Sequence, residues 1–306
     1  MDDEPDIAAP VDVDFEDYID LRASLAPLGR WGDDLIDRWD GTNLVRTASP
    51  HSDGRRVPYA ARLSADRDRL AITIRAADSD LATGLANHVR GTLPTDTAAL
   101  EELATRDERV RKLRRRHPGI VPVLFPDPLA ALIRSISAQQ VNLRWATTVR
   151  RRIAESYGTR HAVGPYEVWS LESDALAAAT LDDLRTRIQL TTAKSMAVIG
   201  CARAARAGEL EIGDLDALDD EQLIAHLTRL RGIGQWSAEW FLARTLGRPR
   251  VVAGDLGVRK AIGRLYATPA LPTEAEVRLL TSHWGAAATH AQALVLHDLA
   301  VASGAA

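Results

Sequence analysis

The apolar period of the chain changes near residue 100. Before that point, short runs alternate with period two, the pattern of strands that bury one face. Val57–Leu63 and Leu70–Arg75 alternate well, with a polar turn over 64–69 between them. Asn43–Ser49 alternates in part and precedes a turn cluster, His51-Ser52-Asp53-Gly54. Tyr18 to Leu28 and Asp34 to Trp39 carry mixed apolar positions around Gly29-Arg30-Trp31-Gly32, and Ser79 to Gly91 reads as a helix.

After residue 100 the spacing is helical. Glu101 to Arg116 is one charged helix closed by His117-Pro118-Gly119. Asp127-Pro128 opens the next, with Leu129, Leu132, Ile133 and Ile136 on one face. Helices follow over 141–157, 174–179, 181–188, 193–205, 220–230, 235–246, 256–266, 273–284 and 291–303. Arg250-Val251-Val252 is the only other strand signal of length, Val168 to Leu171 being short. The pattern predicts an α+β protein: an acidic disordered leader over 1–13, a small antiparallel sheet domain over 14–104, and an all-α domain over 105–306.

Charge modifies this picture at one end. Nine of the acids lie in residues 1–20, which hold no Lys or Arg, so the formal net charge of −4 becomes +5 for residues 21–306. An acidic leader therefore precedes a mildly basic body. Only Lys112, Lys194 and Lys260 are lysines. The arginine bias fits phosphate recognition, but the abundant alanine points more strongly to genome composition. No apolar run of about eighteen residues exists, so no helical membrane span is expected. Met1-Asp2-Asp3-Glu4 is not the start of a secretion signal. A single cysteine, Cys201, forms no internal disulfide and cannot hold an iron–sulfur cluster, which takes several thiolates. The expected compartment is a reducing cytoplasm.

Leu227 to Tyr266 carries the candidate chemistry. Two helical segments flank Gly232-Ile233-Gly234. Glycine lets a backbone approach a ligand closely, and the free N–H groups opening the second helix suit a phosphate, with Arg231 and Ser237 adding charge and a hydroxyl. An αα-hairpin that merely needs glycine to turn explains the two glycines equally well. The helix wheel adds weight: at about 100° per residue, Ala238, Phe241, Leu242 and Thr245 form one stripe, while Trp236 and Trp240 lie nearly opposite. A helix that buries one stripe needs no tryptophans on the other; they pack on another domain or line a cleft. Asp255 opens the next helix. It is a good N-cap, and it is also an anion at neutral pH that could face the same cleft.

Together these residues carry a resemblance. Gly232-Ile-Gly-Gln-Trp-Ser-Ala238, then Gly254-Asp-Leu-Gly-Val-Arg259, resembles the helix-hairpin-helix, Gly/Pro-loop, Asp signature of the base-excision DNA glycosylases, and most closely the 3-methyladenine DNA glycosylase II family. The resemblance extends loosely to His117–Val141 and to the N-terminal sheet. It implies that Asp255 is the catalytic carboxylate and that Trp236, Trp240, Gln139 and Leu256 line the base pocket. Gly232, Gly234, Gln235, Ser237 and Arg231 would meet DNA. Gln140 would fill the gap left by the flipped nucleotide, where a well-known member carries Leu; polar capping between helices is the competing role for both glutamines. The carbonyls of Thr228, Leu230 and Ile233 would hold a monovalent cation, with no cofactor required.

The resemblance also implies exclusions. Trp236 occupies the position where bifunctional relatives place a Schiff-base lysine, so no lysine lyase step is expected. The lone cysteine argues against the iron–sulfur branch. The family's pocket tryptophan in the last helix has no counterpart in Ala293–Asp298, and the aromatic after the catalytic Asp is Leu256. A solvated or core-satisfied pair is the simpler role for His297 and Asp298. The expected protein is a monomer associated with the nucleoid that excises alkylated bases from duplex DNA, with Arg150-Arg151-Arg152 as one candidate contact surface, though a solvated helix face is the default for that run. A noncatalytic DNA clamp and a glycosylase for other lesions are the alternatives.

Overall fold

The computed structural model describes residues 11–15, 17–49, 56–63, 69–74 and 79–304. The N-terminal lobe holds β1 (Val11–Asp14), α1 (Leu21–Gly29), β2 (Arg38–Trp39), β3 (Asn43–Ala48), β4 (Val57–Leu63), β5 (Arg69–Ile74) and α2 (Ser79–Gly91). The strands form one antiparallel sheet in the order β1-β5-β4-β3-β2. Leu44, Tyr59, Ala61 and Leu63 on the inner face join a core shared with the central helices. The turns at 51–54 and 64–68 lie outside the described residues.

The helical part follows: α3 (Ala98–Arg106), α4 (Glu108–Arg116), α5 (Pro128–Ala138), α6 (Leu143–Tyr157), then β6 (Gly158–Val163) and β7 (Tyr166–Leu171). Next come α7 (Ser173–Ala177), α8 (Leu181–Thr186), α9 (Thr192–Arg206), α10 (Ile212–Ala217), α11 (Asp220–Thr228), α12 (Gln235–Arg244), α13 (Leu256–Tyr266), α14 (Glu274–Leu280), a 3₁₀ turn (Ser282–Ala287) and α15 (Ala288–Ala302). A second apolar cluster joins Leu100, Leu103, Val110 and Leu113 of α3 and α4 to α13 and α15 around the buried Trp284.

The structure corrects three expectations. The leader does not reach residue 13, because Val11–Asp14 pairs with β5 as an edge strand. The charged helix over 101–116 is two helices: Asp107 breaks it and caps α4, accepting from the N–H groups of Arg109 and Val110. A domain limit at 104/105 would cut α3, which packs with the C-terminal helices rather than on the sheet. The fold class stands, a small antiparallel sheet followed by a helical domain, to which β6 and β7 add one hairpin. That hairpin lays Val163 and Val168 on Val45 and Ala60, covering the sheet's outer face, while Arg250-Val251-Val252 forms no strand.

Candidate active site

The turn between α11 and α12 is fixed by close packing. Gly232 has φ +84°, and a Cβ there would stand 2.6 Å from the Cβ of Ala197 on α9. Only glycine meets both demands. Gly234 caps α12 without a side chain, leaving the first N–H groups of the helix free. Arg231 and Gln235 are exposed beside them.

Ser237 departs from its expected role. It is 1% exposed, because position 237 lies one turn before Phe241 on the inward face, so its hydroxyl is closed off from a DNA phosphate. Gln139 lines the cavity as expected, with its amide already engaged. Its Nε2 donates to the Gly232 carbonyl at 3.0 Å and the Ser237 Oγ at 3.3 Å, so its amide braces the hairpin from the pocket wall. The carbonyls of Ser137 and Gln139 accept from Lys194 Nζ at 3.1 and 2.6 Å, which caps the end of α5. Gln140 follows in the left-handed region, φ +54°, and is exposed. A side chain rarely adopts that backbone, and here it lifts Gln140 out at the mouth of a cavity.

The cavity is about 1190 Å³ and is lined by Trp236, Trp240, Phe125, Arg244, Asp255 and Leu256 among others. Phe125 stacks on Trp240 with ring centres 5.5 Å apart and 29° between planes. Its N–H donates to the Arg244 carbonyl at 2.8 Å, which ties the segment before α5 to the end of α12. Val141, Leu143 and Leu256 are exposed apolar residues on the lining.

Asp255 caps α13: its Oδ1 accepts from the Val258 N–H at 2.9 Å. Oδ2 has no hydrogen bond among the described residues. A Cβ on Gly254 would stand 3.7 Å from Trp236 Cδ1 and 3.2 Å from Glu274 Oε2, so the Gly254-Asp255 loop passes directly over the tryptophan. Arg278 bridges Glu274 at 2.6 Å and the buried Glu239 of α12 at 2.8 Å, binding α14 to α12 behind that loop. Leu296 and His297 of α15 also line the cavity, Leu296 beside Gly257 at the start of α13. Burial lowers the His297 pKa, helped by the like charges His117 and Arg30, and favours the neutral ring. Asp298 faces away, 2.9 Å from His117 Nε2 and 3.0 Å from Arg116, and is thus satisfied apart from the cavity.

The Arg150-Arg151-Arg152 surface is corrected. Arg150 is buried and its Nε donates to Asp34 at 2.8 Å. Arg151 pairs with Glu155, and Arg152 reaches Gln189. Sequence reasoning missed Phe125 and Arg244 as walls of the cavity. Arg244 had a signal, since 236, 240 and 244 recur every four residues on one helix face. Phe125 had none, because its partner lies 115 residues away.

The family model of the HhH-GPD superfamily of base excision DNA repair proteins matches residues 133–286. That range is half of the chain and spans hairpin, loop and Asp255; the chain belongs to this superfamily. A DNA-3-methyladenine glycosylase of Bacillus subtilis (strain 168) is 28% identical over 194 residues, 63% of this chain and 64% of that protein. The chain spans roughly three fifths of the length of three curated relatives it matches and 37% of two others. Among solved structures, a 3-methyladenine DNA-glycosylase from Archaeoglobus fulgidus superposes with a TM-score of 0.80 at 19% identity, covering 94% of this chain and 98% of that one. A Clostridium acetobutylicum 8-oxoguanine glycosylase/lyase, in complex with double-stranded DNA, superposes at 0.74 with 15% identity over 98% of both chains. The fold is therefore common to proteins named for alkylated and for oxidised bases. No described helix is long and apolar enough to cross a membrane.

Proposed function

We propose that the protein is a monofunctional DNA glycosylase that flips an alkylated base, of the 3-methyladenine or 7-methylguanine type, from duplex DNA and hydrolyses its N-glycosidic bond. The observation that carries this reading is a carboxylate meeting an aromatic face across one cavity: Asp255 from α13, Trp236 and Trp240 from α12. The names of the relatives point the same way. The free N–H groups opening α12 suit a backbone phosphate, and Gln140 stands where it can fill the stack behind a flipped nucleotide. Electron-rich tryptophan faces attract a cationic alkylated base. The free Oδ2 of Asp255 stabilises positive charge developing on the sugar as the bond breaks, and water adds to C1′. Thr228, Leu230 and Ile233 supply neutral carbonyl oxygens on one turn, a set that suits a monovalent rather than a soft transition-metal ion. Leu230's oxygen already accepts from the Ile233 N–H at 3.0 Å and keeps a second lone pair. We place the protein with the nucleoid, as a monomer on duplex DNA.

The test is single-turnover release of 7-methylguanine from duplex DNA by the wild type and Asp255→Asn. Asparagine caps a helix as well as aspartate, so α13 survives while the charge goes. Excision is expected to fall about 10³-fold, the scale of one preorganised electrostatic partner lost, with affinity for abasic-site DNA within about threefold, since binding rests on phosphate contacts. Full activity in Asp255→Asn removes its assignment. Binding without release across a lesion panel favours a clamp.

The lyase question has its own readout. Lys112 pairs with Glu108 and Lys194 is bound to α5, whereas Lys260 lines the cavity mouth. Borohydride reduction during turnover is expected to trap no protein–DNA adduct. An adduct that disappears in Lys260→Ala overturns the monofunctional reading and leaves the glycosylase intact.

A further inference from the structure

We propose that Lys194 is a positioning residue: its ammonium ties the turn that carries Gln140 to the helix that seats the hairpin turn at Gly232, and so fixes the spacing of the two turns. The proposal rests on the glycosylase reading above and concerns how the protein holds the loops that would enter duplex DNA.

Three elements close a ring around this side chain. Lys194 Nζ, from the first turn of α9, donates to the Ser137 carbonyl at 3.1 Å and the Gln139 carbonyl at 2.6 Å, at the end of α5. Gln139 in turn donates through Nε2 to the Gly232 carbonyl at 3.0 Å. Gly232 leads back to α9, where the Cβ of Ala197 leaves no room for a side chain on the turn. Residues 194 and 197 stand about one turn apart on α9, so a single helix holds both turns. Lys194 is the charged member of the ring, and its ammonium meets carbonyl oxygens rather than a carboxylate among the described residues. Its charge therefore serves the C-terminal end of α5, where a cation is favoured.

The ring delivers Gln140. That residue follows the capped end of α5 with φ +54° and is exposed at the cavity mouth. A side chain keeps such a backbone only where its surroundings over-determine it. Asn142 orders the far side of the turn by capping α6, accepting from the Trp145 N–H at 2.8 Å. That cap is local to α6, whereas Lys194 relates the turn to α9. With the hairpin on a backbone phosphate and Gln140 in the stack, an error in spacing weakens the flipped state and leaves first contact intact.

The experiment uses wild type, Lys194→Met, Lys194→Arg, Gln140→Ala and the double variant Lys194→Met/Gln140→Ala. Two signals are read at saturating protein: single-turnover release of 7-methylguanine from a duplex, and the fluorescence change of a 2-aminopurine stacked beside a tetrahydrofuran abasic site. Lys194→Met is expected to slow release about tenfold, the scale of one hydrogen bond from a charged group, and to lose most of the fluorescence change. Affinity for undamaged duplex should stay within about threefold, because it rests on phosphate contacts. Lys194→Arg should recover most of both signals, since a guanidinium also presents charge and several donors. With Gln140→Ala already in place, Lys194→Met should cost less than about twofold. An equal loss in both backgrounds, or an equal fall in affinity for undamaged duplex, marks a residue that only supports the fold and overturns the proposal, as does full release by Lys194→Met. Wild type that releases no 7-methylguanine but keeps the fluorescence pattern across the variants overturns the glycosylase reading and leaves the role of Lys194 standing.

Discussion

Two clusters of buried charge lie on either side of the Phe125 ring, and they are built on opposite rules. In the junction between the N-terminal lobe and α5–α6, each guanidinium has its carboxylate. Arg134 contacts Asp34 and Asp37, Arg150 contacts Asp34, and Arg46 contacts Asp37, at 2.5 to 2.8 Å. Asp34 further accepts from the N–H groups of Ile36 and Asp37. In the cavity, Arg244 and Arg30 have no ion pair among the described residues, and half of the Asp255 carboxylate is free; buried nitrogens of Arg46 in the junction also lack a hydrogen bond, but Arg46 has its carboxylate. Paired charge orders the junction. Buried charge without a counter-charge beside a cavity marks a candidate site, so the contrast separates scaffold from candidate site without appeal to any relative.

Breaking the junction should give the largest loss of stability. Asp34→Ala removes the shared partner of two buried arginines, which is expected to cost about 3–5 kcal/mol. Urea unfolding of the variant measures it. A cost under about 1 kcal/mol would show that the junction is solvated and that the contrast with the cavity is false.

Acid should act on the same cluster with a smaller effect. Burial alone would raise the Asp34 pKa, but Arg134, Arg150 and the Asp37 N–H overcome it and hold the carboxyl well below the usual range. A depressed native pKa contributes stability that is complete above the unfolded value near 4 and is lost as pH falls below it. Unfolding free energy should therefore drop by about 1–2 kcal/mol between about pH 5 and pH 3, with a visibly shallower slope in Asp34→Asn. Equal slopes in the two proteins would assign the acid sensitivity elsewhere.

What the sequence shows and hides follows from where each partner lies. β3, β4 and the α12 hairpin are legible because their periods and glycines are local, as is Asp255, whose cap spans three residues. Arg150 reads as a solvated basic run because its counter-charge, Asp34, is 116 residues away. β6 is mostly polar, and of its side chains only Val163 is buried, against a sheet face formed over 95 residues earlier. Ser237 and Gln139 carry the right chemistry for DNA and base, yet their direction depends on how α5 meets the hairpin. Residue types are visible in the chain; whether a polar atom is satisfied is a property of packing.

The smallest stability effect is expected at Arg244, and it is the sharper half of the comparison. Arg244→Met removes a guanidinium that has no partner among the described residues, and with it the cost of desolvating a charge. The unbranched thioether keeps the contact with the Phe125 ring. Unfolding free energy should change by less than about 1 kcal/mol, in either direction, where Asp34→Ala loses several. The two variants alter charges around one ring, so the same urea titration reads both. If Arg244→Met destabilises as much as Asp34→Ala, Arg244 belongs to the scaffold, and the cavity's unpaired charge then reduces to Asp255 and Arg30.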